Sequence, residues 1–135
     1  SSYESMRREL ANWSDTEVMA KFHQRELFNE ANGVDMALLS EACERDPRAV
    51  AEVFLRKGLW HCEGASDRLL DAWSGQDALA ASDWCLKFGE TGASDMFPLV
   101  LARAYVEEPD ATFDFGAQDL VLRLQESHLF RELPA

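Results

Sequence analysis

Helix start and stop signals recur in the middle of the chain at an interval of 31 residues. Asp46-Pro47 places an N-cap residue directly before a proline at the first helical position, and Gly58 ends the segment. Asp77 and Gly89 bound a second segment of equal length. Seven positions are identical at this offset: Gly33/Gly64, Leu38/Leu69, Leu39/Leu70, Asp46/Asp77, Ala49/Ala80, Leu55/Leu86 and Gly58/Gly89. The recurrence predicts stacked pairs of short helices.

The apolar residues between these signals recur at helical spacing, and nothing argues for a sheet. Stripes such as Val50, Val53 and Phe54 are typical of amphipathic helices. Only the segment 112–115 alternates like a strand, and it is short. The sequence therefore predicts an all-α single domain of seven or eight short helices, arranged as a solenoid or an irregular bundle. Residues 1–33 would form N-terminal helices or a cap, and residues 34–130 the stacked pairs.

Individual helix starts can be assigned from polar residues and prolines. Ser14 and Glu17 stand at the spacing of a capping box. Further starts are predicted at Asp35, Asp46-Pro47, Ser66, Asp77 and Pro98, with a last helix over residues 117–130. The apolar residues after Ser14 share no stripe, so that helix either contacts several neighbours or breaks in two. The helix from Pro98 is apolar nearly all round, and we expect it at the centre of the domain.

One segment resembles the helical part of an ankyrin repeat. It reads Leu39-x-x-Ala42-Cys43-x-x-Asp46-x-x-x-Val50-Ala51-x-Val53-Phe54-Leu55-x-x-Gly58. The next unit keeps Leu70, Ala81, Trp84-Cys85-Leu86 and Gly89. The threonine-proline-leucine-histidine tetrapeptide and the loop motif after the glycine are absent, so a different stacked-helix arrangement and an irregular bundle stay open. The resemblance implies a scaffold that binds other proteins on an extended face.

The net charge of −12 limits the classes of partner. Nucleic-acid backbones and anionic membrane surfaces carry the same sign of charge, so neither is expected as a direct partner. No apolar run is long enough to cross a bilayer. Acids concentrate near the end of the chain, where no base intervenes: Glu107, Glu108, Asp110, Asp114 and Asp119. We expect this stretch to contact a basic surface on another protein, although a solvated loop and helix start explains the run as well.

Two further residues are candidates for binding. Trp60 follows the helix-ending Gly58 and lies close to Arg56 and Lys57, so it is a candidate partner anchor if it is exposed. Arg103 is the one charge inside the most apolar helix. Its guanidinium would pair with an acid of a neighbouring helix or bind an anion or a partner carboxylate, because leaving it bare in the interior is costly.

The cysteines and histidines give no catalytic or metal signature. Cys43, Cys62 and Cys85 are widely spaced and form no CxxC pair, which favours free thiols in a reducing compartment. A cytoplasmic protein, or an effector acting in a host cytoplasm, fits this use. His61 and Cys62 are adjacent in a predicted turn, where their functional atoms cannot easily meet. We expect no catalytic residue, no metal and no cofactor.

Three functions remain open on the sequence alone. The leading hypothesis is a protein-interaction module of adaptor, immunity or effector type. The alternative is a nucleic-acid mimic that occupies the DNA site of another protein, which would require acids over one continuous face. A further alternative is a small enzyme that uses Cys62 or His61, which would require a histidine within hydrogen-bond reach of an accessible Cys62.

Overall fold

The computed structural model describes residues 2–25, 28–57, 64–88 and 97–110. Within these ranges the chain forms seven helices and no strand, which confirms the all-α class. None of these helices has both the length and the apolar composition that a bilayer span requires. The helices are α1 (Ser2–Leu10), α2 (Asp15–Gln24), α3 (Gly33–Arg45), α4 (Pro47–Lys57), α5 (Ala65–Gln76), α6 (Ala78–Phe88) and α7 (Phe97–Glu107). The predicted helix 117–130 and the segment 112–115 lie outside the described residues.

The chain divides into two compact units, Ser1–Ala72 and Trp73–Ala135. The division falls within α5, so the first unit contains α1 to α4 and the start of α5. The second unit contains the end of α5 together with α6 and α7. The organisation into an N-terminal cap (1–33) and stacked pairs (34–130) stays a prediction.

Polar side chains fix where α2 and α3 begin. The Ser14 hydroxyl accepts the backbone N–H of Glu17 at 3.1 Å, and the Glu17 carboxylate accepts the backbone N–H of Ser14 at 3.1 Å. This is the predicted capping box. Asn32 caps α3, because its side-chain oxygen accepts two backbone N–H groups of the first turn. The helix therefore begins at Gly33, and Asp35 lies inside its first turn rather than at its predicted start.

A single aspartate joins the two helices of each predicted pair. Asp46 lies between α3 and α4, and its carboxylate accepts the N–H of Ala49 at 3.1 Å. Asp77 lies between α5 and α6, and its carboxylate accepts the N–H of Ala80 at 3.1 Å. The N–H of each aspartate also bonds to a carbonyl near the end of the preceding helix, at 2.9 and 2.8 Å respectively. Each therefore ends one helix and caps the next, at positions that the 31-residue offset aligns.

Helix α3 is the centre of the first unit. It packs against α1, α2 and α4, and all of residues 35–43 are buried. A Cβ at Gly33 would lie 2.6 Å from Ser2 Oγ and 2.8 Å from the backbone nitrogen of Tyr3, so glycine permits the close approach of α1. The largest fully buried side chains of this unit are Leu10, Val18, Phe22, Leu39, Val50, Phe54, Leu69 and Leu70.

The N-terminal third contains two helices with a break after the second. Helix α2 ends at Gln24, where the N–H of Arg25 bonds to the Phe22 carbonyl at 3.1 Å. Phe28 lies beyond the helix, but its ring centroid is 5.3 Å from that of Phe22. The apolar residues after Ser14 share no stripe because the helix ends before the last of them.

Helices α6 and α7 pack together in the second unit. Trp73 and Trp84 are both buried, with ring centroids 6.0 Å apart. In α7 the core residues are Val100, Leu101, Ala102 and Ala104. Val106 is 52% exposed, so α7 reaches the surface at its end, although the helix is apolar nearly all round. Its place at the centre of the domain stays a prediction. An apolar composition sets what a helix can bury but does not place its end inside the core.

Candidate interaction surfaces

Part of the predicted binding surface falls within the described residues. Glu107, Glu108 and Asp110 lie at and just beyond the end of α7, and all three are exposed. The remaining predicted residues of this surface, Trp60, Asp114 and Asp119, lie outside the described residues. His61 and Cys62 also lie outside them.

The end of α7 combines acidic residues with an exposed apolar side chain. Val106 directly precedes Glu107 and Glu108, and the last turn of the helix contains no base. A helix C-terminus carries a partial negative charge from its carbonyl groups, which cations normally offset. Glu107 and Glu108 add to this negative charge, so the arrangement is unfavourable by about 0.3–1 kcal/mol for each charge close to the terminus, whereas Asp110 lies in the helical residues 109–110 beyond Glu108. The α7 end, defined here as residues 106–110, therefore attracts cations.

Arg103 lies one turn before the α7 end and is half-buried. Its Nη1 donates a hydrogen bond to Ser74 Oγ on α5 at 2.7 Å. Both residues belong to the second unit. The pairing of Arg103 with an acid, and its use as an anion site, stay predictions. Ser74 is buried, so the contact satisfies a polar group inside this unit.

A charged cluster joins α1 to α3, and the sequence analysis did not predict it. Glu41 is 6% exposed on the central helix, and arginines from two directions neutralise it. Arg7 Nη1 lies 2.9 Å from Glu41 Oε2, and Arg45 Nη2 lies 3.0 Å from Glu41 Oε1. Arg7 Nη2 also donates to Glu44 at 2.8 Å. We call Arg7, Asp15, Glu41, Glu44 and Arg45 the α1–α3 cluster.

Arg45 also closes the C-terminal end of α1. Its guanidinium donates to the carbonyl oxygen of Trp13 at 2.9 Å and to that of Leu10 at 3.3 Å. It donates to Asp15 at 2.6 Å as well. This last hydrogen bond is the largest cause of a rise in the pKa of Arg45 above its usual value. One side chain therefore contacts a buried carboxylate, the last carbonyl of α1 and a carbonyl of the turn before α2.

The charges of the cluster also act on Arg7. Burial alone lowers the pKa of Arg7, but the carboxylates of Glu44 and Glu41 outweigh this effect and the net change is a rise. Both arginines of the cluster are therefore protonated at neutral pH. The pairing is between opposite full charges, partly shielded from water, where Coulomb attraction exceeds its value in bulk solvent.

A polar contact at the start of α1 also connects this helix to α3. The Tyr3 hydroxyl donates to Ser40 Oγ at 3.4 Å, and Arg68 Nη1 of α5 donates to the same oxygen at 2.9 Å. The Arg68 guanidinium carbon lies 5.5 Å from the centroid of the Tyr3 ring, a cation–π distance. Ser40 is therefore shared between α1 and α5.

A second buried carboxylate lies at the start of α3. Asp35 is 2% exposed, and its Oδ1 accepts a hydrogen bond from Arg25 Nε at 2.8 Å. Its Oδ2 accepts the backbone N–H of Asn29 at 3.1 Å. The pair lies at an open depression whose other lining residues are Phe28, Asn29, Glu30 and Asn32. Asp35 thus fixes the loop between α2 and α3.

The described thiols and acids offer no reactive centre. Cys43 and Cys85 are free and buried. Burial raises the pKa of Cys85 to about 12 and raises that of Cys43 further, so neither forms a thiolate at neutral pH. Among the described residues no three histidines, cysteines or acids are grouped to hold a metal ion. The hypothesis of a small enzyme that uses Cys62 or His61 is not tested, because both residues lie outside the described ranges.

Sequence reasoning found the α7 end but missed the α1–α3 cluster. The acidic run is local, so it can be read directly from the sequence. In the cluster, Arg7 and Arg45 contact residues more than 30 positions away, such as Glu44 and Trp13. The one local signal is the i, i+4 spacing of Glu41 and Arg45, which by itself predicts a solvated pair.

Comparisons of the chain with protein-family models, with curated proteins and with solved structures find no match.

Proposed function

We propose that the protein is an interaction module that binds a basic surface of another protein through the α7 end. The observation that carries the proposal is the exposed group formed by Val106, Glu107, Glu108 and Asp110. Protein interfaces combine an apolar centre with a polar rim, and this group contains both elements. Asp114 and Asp119 are proposed to belong to the same acidic stretch, and Trp60 is proposed as a separate contact region in the first unit. An ankyrin-like stacking of the helix pairs is part of the proposal.

The acidic residues of the α7 end favour the binding of a basic partner and do not stabilise the helix. Acids next to a helix C-terminus lower the stability of the helix, whereas a basic partner would turn the same charges into attractive contacts. Complementary charges also accelerate encounter, and mutating a rim charge chiefly changes the association rate and its salt dependence. The proposal therefore includes binding that weakens as the salt concentration rises.

The distribution of the other acids favours this reading over nucleic-acid mimicry. Asp15, Asp35, Glu41 and Glu44 are each paired with an arginine of the same chain. Acids so neutralised cannot copy a continuous row of phosphates. We propose a cytoplasmic setting, in the cell of origin or in a host, on the strength of the free thiols.

The proposal is tested with a variant that carries Glu107→Gln, Glu108→Gln and Asp110→Asn. A control variant carries Glu30→Gln, Glu52→Gln and Asp83→Asn, which removes the same charge from other exposed positions. Both variants and the wild type are immobilised and exposed to a lysate of the source cells. We expect the wild type and the control to retain a partner with a basic contact surface, and the α7-end variant to lose it.

Two outcomes would count against the proposal. Retention of the partner by the α7-end variant would place the binding surface elsewhere. Equal loss from both triple variants would indicate attraction by net charge, without a defined surface. Capture of a nucleic-acid-binding protein whose DNA competes for the same site would instead favour the mimic.

A further inference from the structure

Three acidic residues recur at an interval of 31 residues, each directly after a helix. They are Asp46, Asp77 and Glu108, and the chain is helical again immediately after each of them, because residues 109–110 continue as a helix beyond α7. The N–H of each residue donates to the carbonyl four positions earlier, at 2.9, 2.8 and 2.9 Å respectively. We call these three residues the corners. The backbone geometry therefore recurs where the 31-residue offset places a third corner.

Burial in the helices before the corners repeats with the same interval. Three sets of equivalent positions are buried in all copies: Leu38/Leu69/Val100, Leu39/Leu70/Leu101 and Ala42/Trp73/Ala104. The position two residues before each corner is exposed in all copies: Glu44, Gly75 and Val106. Each of these helices therefore turns the same face to the core and presents its last turn to solvent.

We propose that the corners Asp77 and Glu108 form one acidic edge, across which a segment of the partner lies with two basic residues. We define the acidic edge as Asp77, Val106, Glu107 and Glu108, all of which are exposed and belong to the second unit. The inference rests on the proposed function, because the edge contains the α7 end. It adds a second contact point, on the corner between α5 and α6.

The two corners follow helices that contact each other. Arg103 Nη1 of α7 donates to Ser74 Oγ of α5 at 2.7 Å. Arg103 corresponds to Ala72 at the 31-residue offset, so the bond joins positions that are two residues apart in the repeat. A parallel stack of α5 and α7, which brings equivalent positions side by side, places the two corners about 8–10 Å apart, the usual distance between packed helix axes.

The chemistry of the acidic edge specifies a partner segment with two bases. Asp77 supplies a carboxylate at one corner, and Glu107 and Glu108 supply two at the other. Val106 adds an exposed apolar side chain for the aliphatic part of a lysine or arginine. A Cβ at Gly75 would meet no atom within 4 Å, so the space beside the first corner is open. Two linked contacts bind more tightly than either contact alone.

The acidic edge is tested with two blocked peptides of equal composition. A polyproline II helix has three residues per turn and rises about 3.1 Å per residue, so Arg-Pro-Pro-Arg holds its arginines on one side, about 9 Å apart. Pro-Arg-Arg-Pro carries the same charges on adjacent residues. Binding to the full chain at low salt is followed by backbone amide chemical shifts. We expect the spaced peptide to bind the wild type roughly threefold more tightly than the adjacent one.

The first corner is tested with Asp77→Asn. Asparagine is as good an N-cap as aspartate, so this change removes the charge and keeps the helix start. We expect the spaced peptide to bind roughly threefold more weakly and to lose its advantage over the adjacent peptide. The matched control is Asp83→Asn at an exposed position of α6, which should bind like the wild type.

A second pair of variants tests the same corner by adding a charge. Gly75→Lys places a base two positions before Asp77, where the space is open. We expect this lysine to weaken the spaced peptide as Asp77→Asn does, because it repels the arginine that would lie there. Gly75→Ala fits the same space without a charge and should leave binding unchanged, which separates the effect of the charge from that of replacing a glycine.

The inference is overturned if neither peptide binds, if both bind the wild type equally, or if Asp77→Asn binds the spaced peptide as the wild type does. Weaker binding in the variant neutralised at the α7 end, but not in Asp77→Asn, would refute the shared edge and leave the proposed function intact. Retention of the lysate partner by the α7-end variant would contradict the proposed function, and the peptide comparison would still decide whether the two corners form one edge.

Discussion

Helices α3 and α7 use charge in opposite ways. Helix α3 carries two carboxylates among nine consecutive buried residues, and both are paired with arginines from elsewhere in the first unit. Helix α7 is more apolar, yet its last turn is exposed and ends in acids. The carboxylates of α3 therefore contribute to holding its neighbours in place, whereas those of α7 face solvent, where a partner could reach them.

The difference teaches that burial follows the pairing of charges as much as the composition of a helix. Judged by its residues, α7 should be the most buried helix, and α3 should expose Asp35 and Glu41. Asp35 and Glu41 are buried instead, because each carboxylate is paired with a guanidinium group of Arg7, Arg25 or Arg45. Buried carboxylates paired with an arginine then indicate architecture, whereas the acids at the end of α7 are exposed.

The largest expected effect comes from Arg45. Changing Arg45 to Ala removes one of the two arginines of Glu41 and the donor to the Leu10 and Trp13 carbonyls. We expect Arg45→Ala to lower the free energy of unfolding more than any other change named below, although Arg7 still faces Glu41. Urea denaturation followed by far-ultraviolet circular dichroism gives the value.

Arg8→Ala is the control for this change, and it should alter the unfolding free energy by less than about 0.5 kcal/mol. A loss in Arg45→Ala no larger than the loss in Arg8→Ala would show that the cluster is a solvated surface pair. The contrast between α3 and α7 would then fail.

The second effect concerns Asp35 at the start of α3. Asp35→Ala removes the acceptor of Arg25 and of the Asn29 N–H group. We expect a loss of about 2 kcal/mol in unfolding free energy, because charged hydrogen bonds contribute more than neutral ones. Asp83→Ala, at an exposed position of α6, should change it by less than about 0.5 kcal/mol. Equal effects at the two positions would mean that burial of Asp35 does not matter.

The third effect compares the two aspartates between paired helices. Asp46→Ala and Asp77→Ala each remove the acceptor of an N-terminal backbone N–H group. We expect each change to lower the unfolding free energy by about 1 kcal/mol, the usual contribution of an N-cap. Asp46→Ser and Asp77→Ser, which keep an oxygen acceptor, should restore most of it. Unequal losses would show that the two aspartates differ in their contribution to stability, although their hydrogen bonds are alike.

The smallest effect is of opposite sign. Glu107→Lys replaces an acid with a base at the C-terminus of α7, where a cation is favoured. We expect the unfolding free energy to rise by about 0.5 kcal/mol at low salt, with the gain lost at high salt. The same change should abolish binding of the basic partner. A destabilised Glu107→Lys variant would indicate that Glu107 supports the fold.

Much of the fold could be predicted because its signals are local. The Asp46-Pro47 start and the Ser14–Glu17 capping box are each contained within a few residues, and both are present. Helix α1 was not assigned individually, because its sequence is hydrophilic and it is stabilised by contacts with α3. The true N-cap of α3, Asn32, was passed over for Asp35. Both residue types cap helices, and the sequence did not reveal that Asp35 is buried against Arg25.

The candidate site could be predicted only where charge is grouped along the chain. The acids of the α7 end are neighbours in sequence, so their exposure could be anticipated. The α1–α3 cluster could not, because Glu41 and Glu44 resemble an ordinary polar helix face until Arg7 is brought against them. Long-range pairs of this kind are set by packing, which a single sequence does not reveal.

The central claim is that the charges of α3 support the fold and those of the α7 end serve a partner. It is tested most directly by the unfolding free energy of the variant with Glu107→Gln, Glu108→Gln and Asp110→Asn. The account predicts a value equal to that of the wild type or higher by up to about 1 kcal/mol, because Glu107 and Glu108, which oppose the α7 terminus, are no longer charged. A fall of more than about 1 kcal/mol would contradict it, because acids that stabilise the folded chain belong, like Glu41, to its architecture.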